Sequence, residues 1–172
     1  MANTTTATTG TRTFRVEALS PDRLEAVRYA GTDDGGNPVF PARAAQGGEP
    51  LRCCLKIAKP GEQILLIAYR PFDKPSPYAE TGPVFVHVES CAGYRSHDLY
   101  PDEFRGREQI FRTYDAGGNI LGGHLAGSTE DVEVVIERLF ADRKVEYIHT
   151  RNVVFGCYML ELRRSPSNVD MA

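Results

Sequence analysis

The sequence predicts an α+β fold, a mostly antiparallel sheet of five to seven strands packed against two helices. Three observations carry that expectation. Only two stretches have helical character, too few to cross over between every pair of strands; several short β-rich runs recur along the chain; and Asp115-Ala116-Gly117-Gly118 separates two of those runs as a hairpin turn would. With 172 residues, 41% of them hydrophobic, the chain can bury a core of its own. Residues 13–164 are expected to form one domain, with 1–12 a Thr-rich disordered leader and 165–172 a flexible tail.

The elements follow in order. Phe14 to Leu19 alternates apolar and polar side chains, as a half-buried strand does. Ser20 then suits a helix N-cap and Pro21 the first helical position, with Leu19 and Leu24 spaced as a hydrophobic staple and Leu24, Val27 and Gly31 on the inner face. Residues 31–50, rich in Gly, Pro, Asp and Asn, read as loop with one short strand at Val39 to Arg43. Ile64 to Tyr69 is a continuous apolar run, expected as a central strand covered on both faces. Val84 to Val88 is its partner, and Pro71, Pro75 and Pro77 stiffen the arm between them. Gln109 to Tyr114 and Asn119 to Gly123 form the hairpin. Ser128, with Asp131 three residues on, is expected to cap a helix whose buried face is Val132, Val135, Ile136, Leu139 and Phe140. Val145 to Thr150 and Val154 to Leu162 complete the strands.

Composition narrows the partners. A net charge of −3 with scattered Lys and Arg argues against nucleic acid. No window approaches the ~18 consecutive apolar residues of a membrane span, and residues 1–11 have neither the basic nor the apolar part of a secretory signal, so a cytoplasmic protein is expected. The cysteines at 53, 54, 91 and 157 then read as reduced thiols.

Ionisable groups concentrate in two places. Tyr69 to His87 carries Arg70, Tyr78, Glu80 and His87 between two core strands, where a rigid scaffold can fix side-chain geometry. Alternation along 147–152 puts Tyr147, His149 and Arg151 on one face, with Asn152 following. If the two segments are neighbours, His87, Glu80 and His149 would serve as proton-transfer groups, and Arg70, Tyr78, Arg151, Asn152 and Tyr147 would bind a small anionic molecule. The structural alternative has Phe72 and Tyr78 packing the arm, Glu80 paired with Arg70, His87 bonded to a carbonyl, and 147–152 an exposed edge. No cofactor is expected. Zinc is the alternative, from Cys53-Cys54, His87, Cys91, His149 and Cys157, although no Cys-x-x-Cys pair supports it and Cys157 reads as a buried apolar thiol. Cys53 or Cys54 beside Arg52 and Lys56 is a further candidate nucleophile.

Leu51-Arg52-Cys53-Cys54-Leu55, Tyr69-Arg70-Pro71-Phe72, the run from Ser76 to His87, and His149-Thr150-Arg151-Asn152 with Gly156-Cys157 together resemble the bacterial proteins catalogued as domain of unknown function 1203. The likeness spans Phe14 to about Arg164. It implies a stand-alone bacterial domain without an assigned activity. Three readings therefore stay open: a cofactor-independent acid–base enzyme acting on a small anionic metabolite, a non-catalytic small-ligand or peptide binding module, and a homo-oligomeric structural domain.

Overall fold

A computed structural model describes residues 13–72 and 74–165. The expected leader and all of the expected tail but Ser165 lie outside the described residues. The strands are β1 (Phe14–Glu17), β2 (Arg43–Ala44), β3 (Pro50–Leu51), β4 (Lys56–Ile57), β5 (Gln63–Tyr69), β6 (Gly82–His87), β7 (Gln109–Tyr114), β8 (Ile120–Ala126), β9 (Tyr147–Asn152) and β10 (Tyr158–Arg164). The helices are α1 (Pro21–Ala30) and α2 (Val132–Phe140), with a short 3-10 turn at Asp102–Phe104.

The fold is α+β, but its strands form two sheets of five, not one. The first runs β1-β10-β9-β7-β8 and the second β2-β5-β6-β3-β4. Every neighbouring pair is antiparallel except β3 and β6, which run parallel with Leu51 opposite Phe85. Period-2 alternation marks a strand without naming its partner, which is why the division escapes sequence reading.

Each sheet has its own core. Val135, Ile136 and Phe140 of α2 pack on Phe14, Phe111, Ile148, Leu160 and Leu162 of the first sheet. Leu24 of α1, with Val39 and Leu51, packs on Ile64, Leu65, Ile67, Val84 and Val86 of the second. The two meet where β10 contacts β6, and Tyr158 of β10 belongs to the second core. Buried Arg52 spans this seam, its Nε donating to the Tyr158 carbonyl at 2.8 Å and its Nη2 lying 3.4 Å from the Met159 sulfur. Burial lowers its guanidinium pKa to about 10.

The helix ends differ in detail from expectation. Pro21 opens α1 and Gly31 closes it in the left-handed region at φ 68°, but Ser20 makes no side-chain cap. In α2 the cap is Asp131, not Ser128: its Oδ1 accepts from the amides of Glu133 and Val134 at 3.0 and 3.3 Å, so the helix starts three residues later than a Ser128 cap would have it. The short strand expected at Val39 to Arg43 is displaced to Arg43–Ala44. Among the described residues no helix is long and apolar enough to cross a membrane.

Candidate functional site

β9 lies between β10 and β7, so 147–152 is an interior strand and not an exposed edge. Ile148 points into the α2 core, and the opposite face carries Tyr147, His149 and Arg151. His149 is fully buried, ringed by Phe72, Tyr114, Tyr147 and Tyr158 at centroid distances of 5.2, 4.8, 5.1 and 5.1 Å. Its Nε2 lies 3.0 Å from Oε2 of Glu161, its register partner on β10. Burial holds the imidazole pKa below its ordinary value despite the carboxylate, which favours the neutral ring. Nε2 then carries the proton and donates to Glu161, leaving Nδ1 as a buried acceptor without a hydrogen-bond partner among the described residues. Arg163 also pairs with Glu161 through Nε and stacks over the Tyr147 ring at 5.2 Å.

Glu80, near the end of the Pro-rich arm, joins the same sheet. Its two carboxylate oxygens accept from Arg112 Nη1 at 2.5 Å and Arg151 Nη1 at 2.7 Å. Partial burial opposes ionisation, yet the two guanidinium groups hold the carboxyl below its usual range. Arg151 is 4% exposed and also donates to the Gly156 carbonyl at 3.1 Å. Glu80 therefore fastens the arm to β7 and β9; Arg70, its expected structural partner, is not among the residues it bonds.

The structure divides the remaining expected residues. Arg70 is exposed, and its backbone N–H donates to Asp34. Tyr78 is 42% exposed on a turn. The Asn152 side chain accepts from the amides of Val154 and Phe155, shaping the β9–β10 turn. His87 ends β6 opposite Ile64, whereas Gly82 begins it opposite Tyr69. Five residue steps, about 17 Å of strand, thus separate His87 from the end near Glu80.

Beside His149 opens a cleft of about 180 Å³ whose lining includes Phe72, Lys74, Glu146, Tyr147, Glu161 and Arg163. Burial and the neighbouring Glu161 charge raise the Tyr147 phenol to about 12, so it stays protonated. Sequence reasoning missed Glu161, Arg163 and Arg112. A signal existed for the first two: folding 147–164 as a hairpin about its turn sets 161 against 149 and 163 against 147.

His87 has a different setting. One ligand atom from each of Cys53, Cys54, His87 and Cys91 lies within 4.8 Å of the others. His87 Nδ1 is 3.4 Å from Cys53 Sγ and 3.9 Å from Cys54 Sγ, and Nε2 is 3.6 Å from Glu62 Oε1. All four cysteines are free thiols. Cys53 shares a hydrogen bond with Cys54 and is buried, so its own thiol is raised while Cys54 is lowered to about 6. Of the sequence-derived zinc candidates, His149 and Cys157 do not belong to this cluster; Cys157 is half-exposed at the β9–β10 turn beside an exposed Phe155. Arg52, expected to activate these thiols, instead directs its guanidinium into the seam between sheets.

Two five-stranded, largely antiparallel sheets with a helix on each, a polar cleft at one site and a thiol–imidazole cluster at another, define an α+β domain. The chain belongs to the family described as "Protein of unknown function (DUF1203)", whose model matches residues 48–164. No curated protein and no solved structure matches it.

Proposed function

We propose that the protein is a small-molecule binding domain whose cleft beside His149 takes a small zwitterion of the amino-acid kind. One observation carries the reading: Lys74 and Arg163 line the same small cleft as Glu146 and Glu161, with Phe72 and Tyr147 as apolar surface. A cleft of about 180 Å³ is small against the ~300–1,000 Å³ of drug-sized sites, which suits a ligand of few atoms. Cations and carboxylates together suit a molecule with an anionic and a donor end better than a simple anion.

Binding is favoured over acid–base catalysis by the state of the expected catalytic groups. Glu80 is committed to two arginines, and His149 is enclosed and donates to Glu161. A proton-transfer group must reach its substrate within hydrogen-bond distance, and His149, with no exposed surface, does not meet that condition. Glu161 lines the cleft with Glu146, its Oε2 bonded to the His149 N–H and its Oε1 to Arg163.

Titrating glycine, alanine and serine into isotopically labelled protein tests this. Expected are chemical-shift changes confined to the residues that line the cleft, Phe72, Gly117, Gly118 and Tyr147 among them, and lost in Glu161→Gln. Shifts elsewhere, or none at millimolar ligand, would overturn it.

A further inference from the structure

We propose that Cys53, Cys54, His87 and Cys91 form a closed tetrahedral site for zinc. The fold itself assembles the site. Because β3 and β6 run parallel with Leu51 opposite Phe85, the chain two residues further on sets Cys53 beside His87, and the Arg52 amide bonded to the Phe85 carbonyl at 2.9 Å extends that pairing. Cys54 follows in the β3–β4 turn, where Leu55 adopts a left-handed φ of 57°. Cys91 arrives from the segment after β6.

The spacing suits the ion. Zinc bound at about 2.3 Å to sulfur and about 2.0–2.1 Å to nitrogen sets tetrahedral S···N edges of about 3.6 Å and S···S edges of about 3.8 Å. The observed His87 Nδ1 distances of 3.4 and 3.9 Å bracket the first, and the 4.8 Å limit on the whole set allows the second with small side-chain rotations. The orientation fits as well. His87 turns Nδ1 to the sulfurs and Nε2 toward Glu62, the carboxylate arrangement that fixes the tautomer of a ligating imidazole. The His87 amide donates to Cys53 Sγ at 3.4 Å, a contact that supports thiolate charge. Three thiolates and one neutral imidazole would leave a zinc complex at −1.

Apolar packing alone accounts for buried thiols but not for an imidazole nitrogen aimed at them. Four protein ligands complete a tetrahedron and leave no position for substrate, so the site is structural. Its work is visible in the chain: residues 88–101 carry neither strand nor helix, at the upper end of ordinary loop length, and Cys91 would tie this segment to the β3–β4 turn and the end of β6.

The test is metal analysis of the full chain purified under reducing conditions, with cobalt(II) titration of the chelated protein. Expected are one zinc per chain in wild type and in Cys157→Ser, loss of stoichiometric zinc in Cys54→Ser and Cys91→Ser, and cobalt absorption of the tetrahedral thiolate type. Glu62→Gln should retain zinc with affinity lowered about 10–100-fold. Should the cysteine variants fail to fold, the wild-type cobalt spectrum decides. Absence of thiolate-to-cobalt absorption, zinc content unaltered in folded Cys54→Ser, or iron in place of zinc would overturn the assignment.

Discussion

Two histidines expected to share one site occupy two different chemical settings, and the contrast explains what each does. Both turn Nε2 toward a carboxylate, His87 at 3.6 Å from Glu62 and His149 at 3.0 Å from Glu161. They differ at the other ring nitrogen. Nδ1 of His87 meets sulfur, whereas Nδ1 of His149 has no hydrogen-bond partner among the described residues and its ring is enclosed by four aromatic side chains. A carboxylate behind an imidazole therefore does not define a role. The groups in front of it do: thiols around His87 carry the zinc proposal, whereas aromatic walls make His149 a buried post behind Glu161 at the edge of a cleft.

Removing zinc should produce the largest effect. If the Cys/His cluster is a structural centre, metal held at a thousandfold above its Kd contributes about 4 kcal/mol, which chelation removes and added zinc restores. Chemical denaturation of the holo and chelated protein measures it, and equal midpoints would make the cluster as dispensable for stability as an ordinary thiol patch. Next is Glu80→Ala, which leaves the buried Arg151 without its carboxylate. Truncating one partner of a fully buried pair costs ~3–5 kcal/mol and an exposed pair contributes under ~1, so with Glu80 48% exposed and Arg151 5% exposed the expected loss is about 1–3 kcal/mol. A loss in that range with zinc content intact would show that the two regions are separable.

How much of this was legible follows from which residues lie near each other in sequence. The hairpin of β7 and β8, the apolar face of α2 and the Tyr147/His149/Arg151 face all rest on local periodicity, and they are present. The partners of those residues were harder to find. Glu80 meets Arg112 and Arg151 across 32 and 71 positions, and Arg112 alone in sequence looks like part of a mixed charged face. All four members of the Cys/His cluster were among the zinc candidates of the sequence, but which of the six candidates come together was not legible, because it depends on one parallel pairing, Leu51 with Phe85, that no alternation pattern encodes. Two of its cysteines are adjacent, so no Cys-x-x-Cys spacing announces it.

Acid should separate the regions again, through His149. Its folded pKa is depressed from 6.5 by burial, so the unfolded chain binds the proton more readily. Stability from the neutral ring is fully present above pH 6.5 and declines as pH falls below it toward the folded pKa. His149→Gln should flatten this slope, measured as unfolding midpoints between pH 7 and pH 5, whereas an unchanged slope would mean that His149 is not held neutral. The Glu80 carboxyl has the same sign of dependence in a more acidic window. Its folded pKa is depressed, so its contribution persists above the ordinary carboxylate range and is lost only as pH falls through that lower value.

The smallest effect belongs to Tyr78. Sequence position, in the middle of the motif-bearing arm, makes it look like a binding residue, but it is 42% exposed on a turn where its own amide is bonded to Ser76 Oγ at 3.1 Å. Its ring is absent from the cage around His149 and from the lining of the cleft. Surface substitutions away from caps, buried pairs and cores usually stay within ~0.5 kcal/mol, and Tyr78→Ala should do the same while leaving both zinc content and amino-acid binding unchanged. A larger loss would mean that the Tyr78 ring itself helps anchor the arm, beside Glu80, Phe72 and Ser76, and a loss confined to ligand binding would extend the cleft outward along the arm to include Tyr78. Either result would redraw the boundary between the two regions from the exposed side.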